Sequence, residues 1–407
     1  NNPAFITPQK QPQQDYNSQP SAPQTKNDAY DTTSYERQYQ QNAANAASHH
    51  DSTHTYWGQP PSSYSNPSYM SEQTLHTFTQ PQMDPASYMN EPPAFDFAPP
   101  EESDGVVGER FVLGTNPQQS SGKSSIYEAW DGDSQVIVKL SRNQGALERE
   151  AQNYQHIVKE GEAEELFVEV HDFLEQADPS CEQLKDQAAL VMEKGEQDLQ
   201  TYIRAHGRLE GRQLQKVAHS AAQCVAAVHA SNMVWTEIKG ANFVVSLDEG
   251  EQQQQDGPYD NLNVKGIDLE AAVQPQESYI DFTPKTAPPE FLNEFLCGRE
   301  KQMGMDPSFD IWSLGLLLYK MATGKQYYNP DVQDGIAIAM ELKTAAAAAQ
   351  MDADGQGSLD MNKHSDIYET VDPDMKDLIN HCLAIDPTLR PSIEQVLQHP
   401  FFTHPRY

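Results

Sequence analysis

Three residues in one short stretch have the types and spacing for phosphoryl transfer. Val234 to Asn242 reads V-W-T-E-I-K-G-A-N, with a carboxylate at Glu237, an ammonium at Lys239 and an amide at Asn242. Such a carboxylate can accept a hydroxyl proton, the ammonium can neutralise a moving phosphate, and the amide oxygen can hold a metal. Taken alone, E-x-K-x-x-N also fits ordinary loop chemistry after a helix, so its meaning depends on what stands at fixed distances from it.

The surrounding elements are those that would position it. Leu214 to Ala230 has helical apolar spacing, with Val217, Ala221, Cys224, Val225 and Val228 on one face, and leads into the stretch; Phe243 to Val245 is a short apolar run after it. Far upstream, Arg110–Leu113, Ser125–Trp130 and Gln135–Leu140 read as strands, with Asp131-Gly132 as a hairpin turn. Within the third strand, Lys139 ends the run V-I-V-K. Eleven residues on, Glu150 lies in a helical pattern of Ala146, Leu147, Ala151, Tyr154, Ile157 and Val158. Phe167–Phe173 and Ala188–Met192 complete a small sheet, Leu199–Ala205 is helical, and Asn263–Asp268 is a later strand. Read singly, Lys139 is a surface lysine, Glu150 a solvated helix face and Met192 plain core.

Jointly, these positions resemble eukaryotic protein kinases. Trp235, Thr236 and Glu237 stand in the H-R-D places of the catalytic loop, and Lys239 and Asn242 match its later positions. Asp268-Leu269-Glu270 stands at D-F-G, Ala287-Pro288-Pro289-Glu290 at A-P-E, and Asp310 to Gly315 at the D-x-W-S-x-G helix start. Arg390 matches the late arginine that pairs with Glu290. The resemblance implies an α+β, bilobal protein kinase fold over 106–403. A small antiparallel sheet with helix C forms the N-lobe (106–192), and a mainly helical C-lobe spans 196–403. It implies ATP and Mg²⁺ as cofactors. Glu237, Lys239 and Thr283 would be catalytic, and Asn242 and Asp268 would bind metal. Lys139 would hold the phosphates and Glu150 would pair with it. Ile126, Ile137, Met192 as gatekeeper, and hinge residues Glu193 and Gly195 would surround the adenine, with Gly122 in the phosphate-covering loop. That loop, Ser120 to Tyr127, and the hinge are most similar to the monopolar-spindle branch. A Walker A reading of Gly122-Lys123-Ser124 fails, because Pro117 stands where that motif needs glycine.

The departures divide the functional readings. The H-R-D triplet is altered, Glu270 replaces a glycine, the phosphate loop is poor in glycine, and Ile137 replaces a small residue. An active serine/threonine kinase is one reading; a pseudokinase acting as scaffold or allosteric partner is the other. Transfer to a small molecule is disfavoured by the A-P-E segment and Thr283, which belong to a peptide platform.

Composition bounds the rest. The 407 residues carry a formal charge of -33. Residues 1–100 hold nine acidic and three basic side chains, so about -27 lies beyond them. Acidity of this degree argues against a nucleic-acid partner and favours protein substrates that are basic. Residues 1–103, rich in Gln, Asn, Ser, Pro and Tyr, read as a disordered low-complexity tail open to docking or autophosphorylation. Asp248–Asp260 and Met351–His364 read as polar insertions, the second expected to be mobile. Four scattered cysteines and the lack of a signal-like apolar segment predict a reducing intracellular compartment, cytoplasmic or nuclear, and no apolar run reaches membrane-spanning length.

Overall fold

The computed structural model describes residues 103–404 except 160–162, 179–180, 183, 248–261, 330, 333, 350–358, 360 and 362–364. Apart from Ser103, the expected tail lies outside the described residues, as does the Asp248–Asp260 insertion.

The N-terminal half is an antiparallel sheet. Its strands are β1 (Val106–Val107), β2 (Phe111–Leu113), β3 (Gln119–Ser120), β4 (Ser124–Asp131), β5 (Ser134–Ser141), β6 (Val170–Leu174) and β7 (Ala188–Glu193). They run in the order β1-β2-β4-β5-β7-β6, with β3 paired to the start of β4. Strand periodicity sorts the side chains of β5 and β7 to two faces. Val136, Val138, Leu140, Ala189 and Val191 join one apolar cluster with Phe111 and Leu113. The alternate residues Ile137, Lys139, Leu190 and Met192 face the other way, and there α1 (Gln144–Tyr154) packs. Asn143 caps α1, its side chain accepting from the Ala146 amide at 3.2 Å. A π-helical turn, Gln155–Lys159, follows.

The C-terminal half is helical. α2 (Leu199–His206) and α3 (Gly211–Ala230) precede the catalytic-type loop; α4 (Pro289–Leu296), α5 (Pro307–Thr323), α6 (Gly335–Ala349), α7 (Ser365–Tyr368), α8 (Pro373–Cys382), α9 (Ile393–Leu397) and α10 (Pro400–Thr403) follow it. A second sheet of β8 (Gln197–Asp198), β9 (Phe243–Leu247) and β10 (Leu262–Gly266) lies in the order β10-β9-β8. On α3 the apolar stripe read from sequence is buried, Val217, Ala221, Cys224, Val225 and Val228 each at 0% exposure. Phe309 to Tyr319 of α5 is buried at every position, which makes it the central helix of this half.

Three expectations need correction. The strand expected at 167–173 begins at Val170. Phe167 instead forms a lone bridge to Gly266, and its ring packs on Tyr154 and Trp235. The strand expected to reach Asp268 stops at Gly266, because Asp268 turns into the left-handed region at φ 64°. Within 351–364, Leu359 and Met361 are buried against the helical core, so a uniformly mobile insertion does not hold there; the rest of that segment lies outside the described residues.

Candidate active site

The stretch 234–242 is shaped by what anchors it. Asp310, at the start of α5 and fully buried, accepts hydrogen bonds from the backbone amides of Trp235 (2.7 Å) and Thr236 (2.8 Å), and is 2.9 Å from His229 Nε2. Thr236 is held at φ 66°, a strained conformation for a β-branched residue, and its hydroxyl donates to the Ala271 carbonyl at 3.1 Å. The Trp235 indole, also fully buried, donates to the Asp268 carbonyl at 3.2 Å.

On this frame Glu237, Lys239 and Thr283 form a closed triangle. Thr283 Oγ1 donates to Glu237 Oε1 at 2.9 Å. Lys239 Nζ donates to Glu237 Oε2 at 3.0 Å and to Thr283 Oγ1 at 3.3 Å. The glutamate is buried, so these charge-assisted bonds fix its carboxylate. Asn242 Nδ2 donates to the Glu237 carbonyl at 3.0 Å, which leaves the amide oxygen as the end available to a ligand.

Across the cleft, Lys139 Nζ lies 2.7 Å from Glu150 Oε2, 3.0 Å from Asp268 Oδ1 and 3.5 Å from Glu270 Oε2. Burial lowers the ammonium pKa, but the three carboxylates outweigh it and hold the pKa above its ordinary value. Burial raises the Glu150 carboxyl against the pull of Lys139. At Asp268 burial also pushes upward, and Lys139 more than offsets it, so this carboxyl stays below the usual carboxylate range. An ionised carboxylate and an amide oxygen form a donor set suited to a hard cation, so Asp268 and Asn242 fit Mg²⁺.

The residues expected around a purine line one wall. Ile126 pairs in register with Lys139, and Ile137 with Met192. The Glu193 amide donates to Glu169 O at 2.8 Å, and its carboxylate receives Lys265 Nζ at 2.8 Å. The Gly195 amide has no hydrogen-bond partner among the described residues, which leaves it as a donor a purine edge could use. Gly195 has to be glycine, since a Cβ there would come within 2.6 Å of Val244. Gly122 is different: a Cβ would meet nothing within 4 Å, so no close approach at this position calls for glycine.

The profile of the protein kinase domain matches residues 121–402. The chain belongs to the protein kinase family. The kinase domain is similar to calcium-dependent protein kinase 9 of Oryza sativa subsp. japonica, at 26% identity over 206 residues, covering 50% of this chain and 30% of that protein. It is also similar to the liver/testis gamma catalytic chain of human phosphorylase b kinase, at 27% identity over 217 residues, covering 52% of this chain and 45% of that one. Mitogen-activated protein kinase kinase kinase 3 of Arabidopsis thaliana is 30% identical over 179 residues, 44% of this chain and 23% of that protein. The matches span less than half the length of each of these relatives. The fold is the bilobal protein kinase fold, a curled antiparallel sheet over a helical lobe.

Several residues of the kinase domain's site were not singled out from sequence. Asn153 Nδ2 donates to the carbonyls of Leu269 (2.7 Å) and Ala272 (3.1 Å). The Asp268 amide donates to Tyr154 Oη at 3.1 Å, and Arg149 Nε donates to the Glu270 carbonyl at 3.2 Å. Helix α1 thus holds the D-L-E segment by side chains as well as through the Lys139–Glu150 pair. An asparagine on the inward face of an amphipathic helix was the available signal. Lys123 of the phosphate loop also pairs across the cleft with Asp281. Among the described residues no helix is long and apolar enough to cross a membrane.

Proposed function

We propose that the chain is an active protein serine/threonine kinase that transfers phosphate from Mg-ATP to hydroxyls of protein substrates. One observation carries this reading: the Glu237–Thr283–Lys239 triangle is assembled, with bonds of 2.9, 3.0 and 3.3 Å, although the residues around Glu237 depart from the family pattern. Mg²⁺ held by Asp268 and the Asn242 amide oxygen would neutralise phosphate charge. Lys139, fixed by Glu150, binds the nucleotide phosphates. Glu237 orients the acceptor hydroxyl and takes its proton, and Lys239 offsets the negative charge beside it. Thr283 locks the carboxylate rotamer and supports serine/threonine specificity. Four free cysteines, two of them buried, support a reducing cytoplasmic or nuclear setting.

One observation favours the pseudokinase reading. Glu270 stands 3.5 Å from Lys139 Nζ, so a built-in carboxylate competes with phosphate for this cation. A single experiment separates the two readings: thermal melting with Mg-ATP, with ATP alone and without nucleotide, beside radiolabelled autophosphorylation. Nucleotide at a hundred times its dissociation constant should stabilise by about 2.7 kcal/mol. Asp268→Asn should lose the metal-dependent part. A wild-type chain that shows neither a melting shift nor incorporated label would refute the kinase reading.

A further inference from the structure

In a strongly acidic chain, one cavity beside the catalytic loop gathers positive charge. It measures about 470 Å³, and its lining includes Gln200, Arg204, Lys320, Lys325 and Tyr327. Arg204 and Lys325 have no ion-pair partner among the described residues. Lys320, in the last turn of α5, donates to Gln200 Oε1 at 2.8 Å, a neutral acceptor. Its ammonium pKa is pushed down to about 8, first by burial and then by Arg204, against the pull of Asp198. The fold therefore assembles three cations around a void and gives them little anionic compensation.

The cavity's position says what could compensate them. Gln200 touches the catalytic loop directly: a Cβ on Gly240 would lie 3.3 Å from Gln200 Cβ. Gly240 is three residues from Glu237, so their Cα atoms are at most about 11 Å apart. The void is within reach of a polypeptide presenting its hydroxyl to Glu237, since an extended chain advances about 3.3 Å per residue. We propose that the cavity is a subsite for an anionic side chain, a carboxylate or a phosphate, on the acceptor polypeptide, roughly three to six residues from the hydroxyl that is modified. This rests on the kinase reading above. The guanidinium suits bidentate capture of either oxyanion, and the two ammonium groups add point charge. The net charge favours basic substrates only through a long-range field, which salt screens beyond about 8 Å. At contact distance the local cations decide.

The test uses the full chain and fluorescein-labelled peptides with one serine in a neutral background. Asp, phosphoserine, Ala or Arg is placed at each position three to six residues to either side, and affinity is read by anisotropy without nucleotide. At one position the Asp or phosphoserine peptide should bind at least about tenfold tighter than its Ala counterpart, the yield of one charge-assisted contact. A larger gain from phosphoserine identifies phosphate as the ligand, and equal gains identify any carboxylate or phosphate. In Arg204→Glu, an exposed change, and in the double variant Arg204→Glu with Lys320→Met, the preference should vanish and Arg peptides should gain. Equal wild-type affinity for the Asp, phosphoserine and Ala peptides overturns the proposal, as does a preference that survives Arg204→Glu. The Mg-ATP melting shift judges the kinase reading separately, so either can fail while the other stands.

Discussion

Glu237→Asp is the sharpest perturbation of the site. It shortens the side chain by one carbon–carbon bond, about 1.5 Å. The native carboxylate accepts from Thr283 at 2.9 Å and from Lys239 at 3.0 Å. Without backbone movement, the aspartate oxygens would stand up to about 4.4–4.5 Å from these donors, beyond hydrogen-bond reach. The backbone has little freedom to follow. The Trp235 and Thr236 amides are tied to Asp310, and the Glu237 carbonyl is tied to Asn242. A positioning group displaced by about 1 Å costs about a hundredfold in rate, or about 2.7 kcal/mol of barrier. The turnover number for a peptide substrate, measured by radiolabel transfer, should therefore fall about a hundredfold. KM for ATP should stay within about twofold, since Lys139 and Asp268 are untouched. A rate equal to or above wild type would refute the reasoning. If wild type, Glu237→Asp and Glu237→Ala all turn over at one background rate while Mg-ATP still binds, the carboxylate has no catalytic role.

Other outcomes are expected elsewhere. Arg390 makes two 2.7 Å bonds to the Glu290 carboxylate and is itself buried, so Arg390→Met should lower unfolding stability by about 3 kcal/mol in denaturant titration; a loss under about 1 kcal/mol would contradict it. Burial, and after it Arg204, pull the Lys320 pKa down to about 8 from an ordinary 10.5 against Asp198, so its charge costs stability at and below pH 8. The folded state holds fewer protons between those values, and stability from this group rises with pH across that window. The stability difference between Lys320→Met and the native chain should accordingly shrink by up to about 3 kcal/mol from pH 7 to above about pH 10.5; a pH-independent difference would exclude this account. Tyr279, Phe282 and Phe291 interlock edge-to-face and Lys301 sits 3.9 Å over the Tyr279 ring, so packing orders this segment where Thr236 offers no cation for a phosphate. Phosphatase treatment should leave peptide kinase activity intact, and loss restored by rephosphorylation would show the opposite.

The legible parts of this protein were those governed by periodicity and by chemistry local in sequence. Lys139 on a strand and Glu150 on a helix face eleven residues later were paired through the kinase resemblance, and the structure places them 2.7 Å apart. The stripe on α3 was equally plain. Glu270 was not legible: in sequence it is only a missing glycine, and its carboxylate meets Lys139 because the chain leaves the strand after Gly266 and turns at Asp268. Tyr154 was counted into a helix pattern and Asn153 passed over beside it, with no sign that they bond a segment more than a hundred residues away. The cationic cavity was hidden by averaging. Arg204, Lys320 and Lys325 come from two separate stretches, and the net charge of -33 has the opposite sign. Phe167 looked like strand because it is aromatic and apolar, whereas a ring packing on Tyr154 and Trp235 gives a different use for the same character.

The large ring at 235 has a counterpart in the absent side chain at 266. A Cβ on Gly266 would fall 2.9 Å from the Trp235 indole and 2.7 Å from the Phe167 ring. The two positions are therefore epistatic. Gly266→Ala collides while tryptophan is present, and Trp235→His opens a void while glycine is present, so each single step passes through a weakened fold. The double exchange relieves the indole contact but leaves the Phe167 ring 2.7 Å from the new Cβ, so that ring has to give as well. The indole is also the donor to the Asp268 carbonyl, so such a trajectory would have to replace that bond in the same move. Change at either position alone carries a cost, and the altered catalytic loop is in this sense simple to keep and hard to reverse one residue at a time.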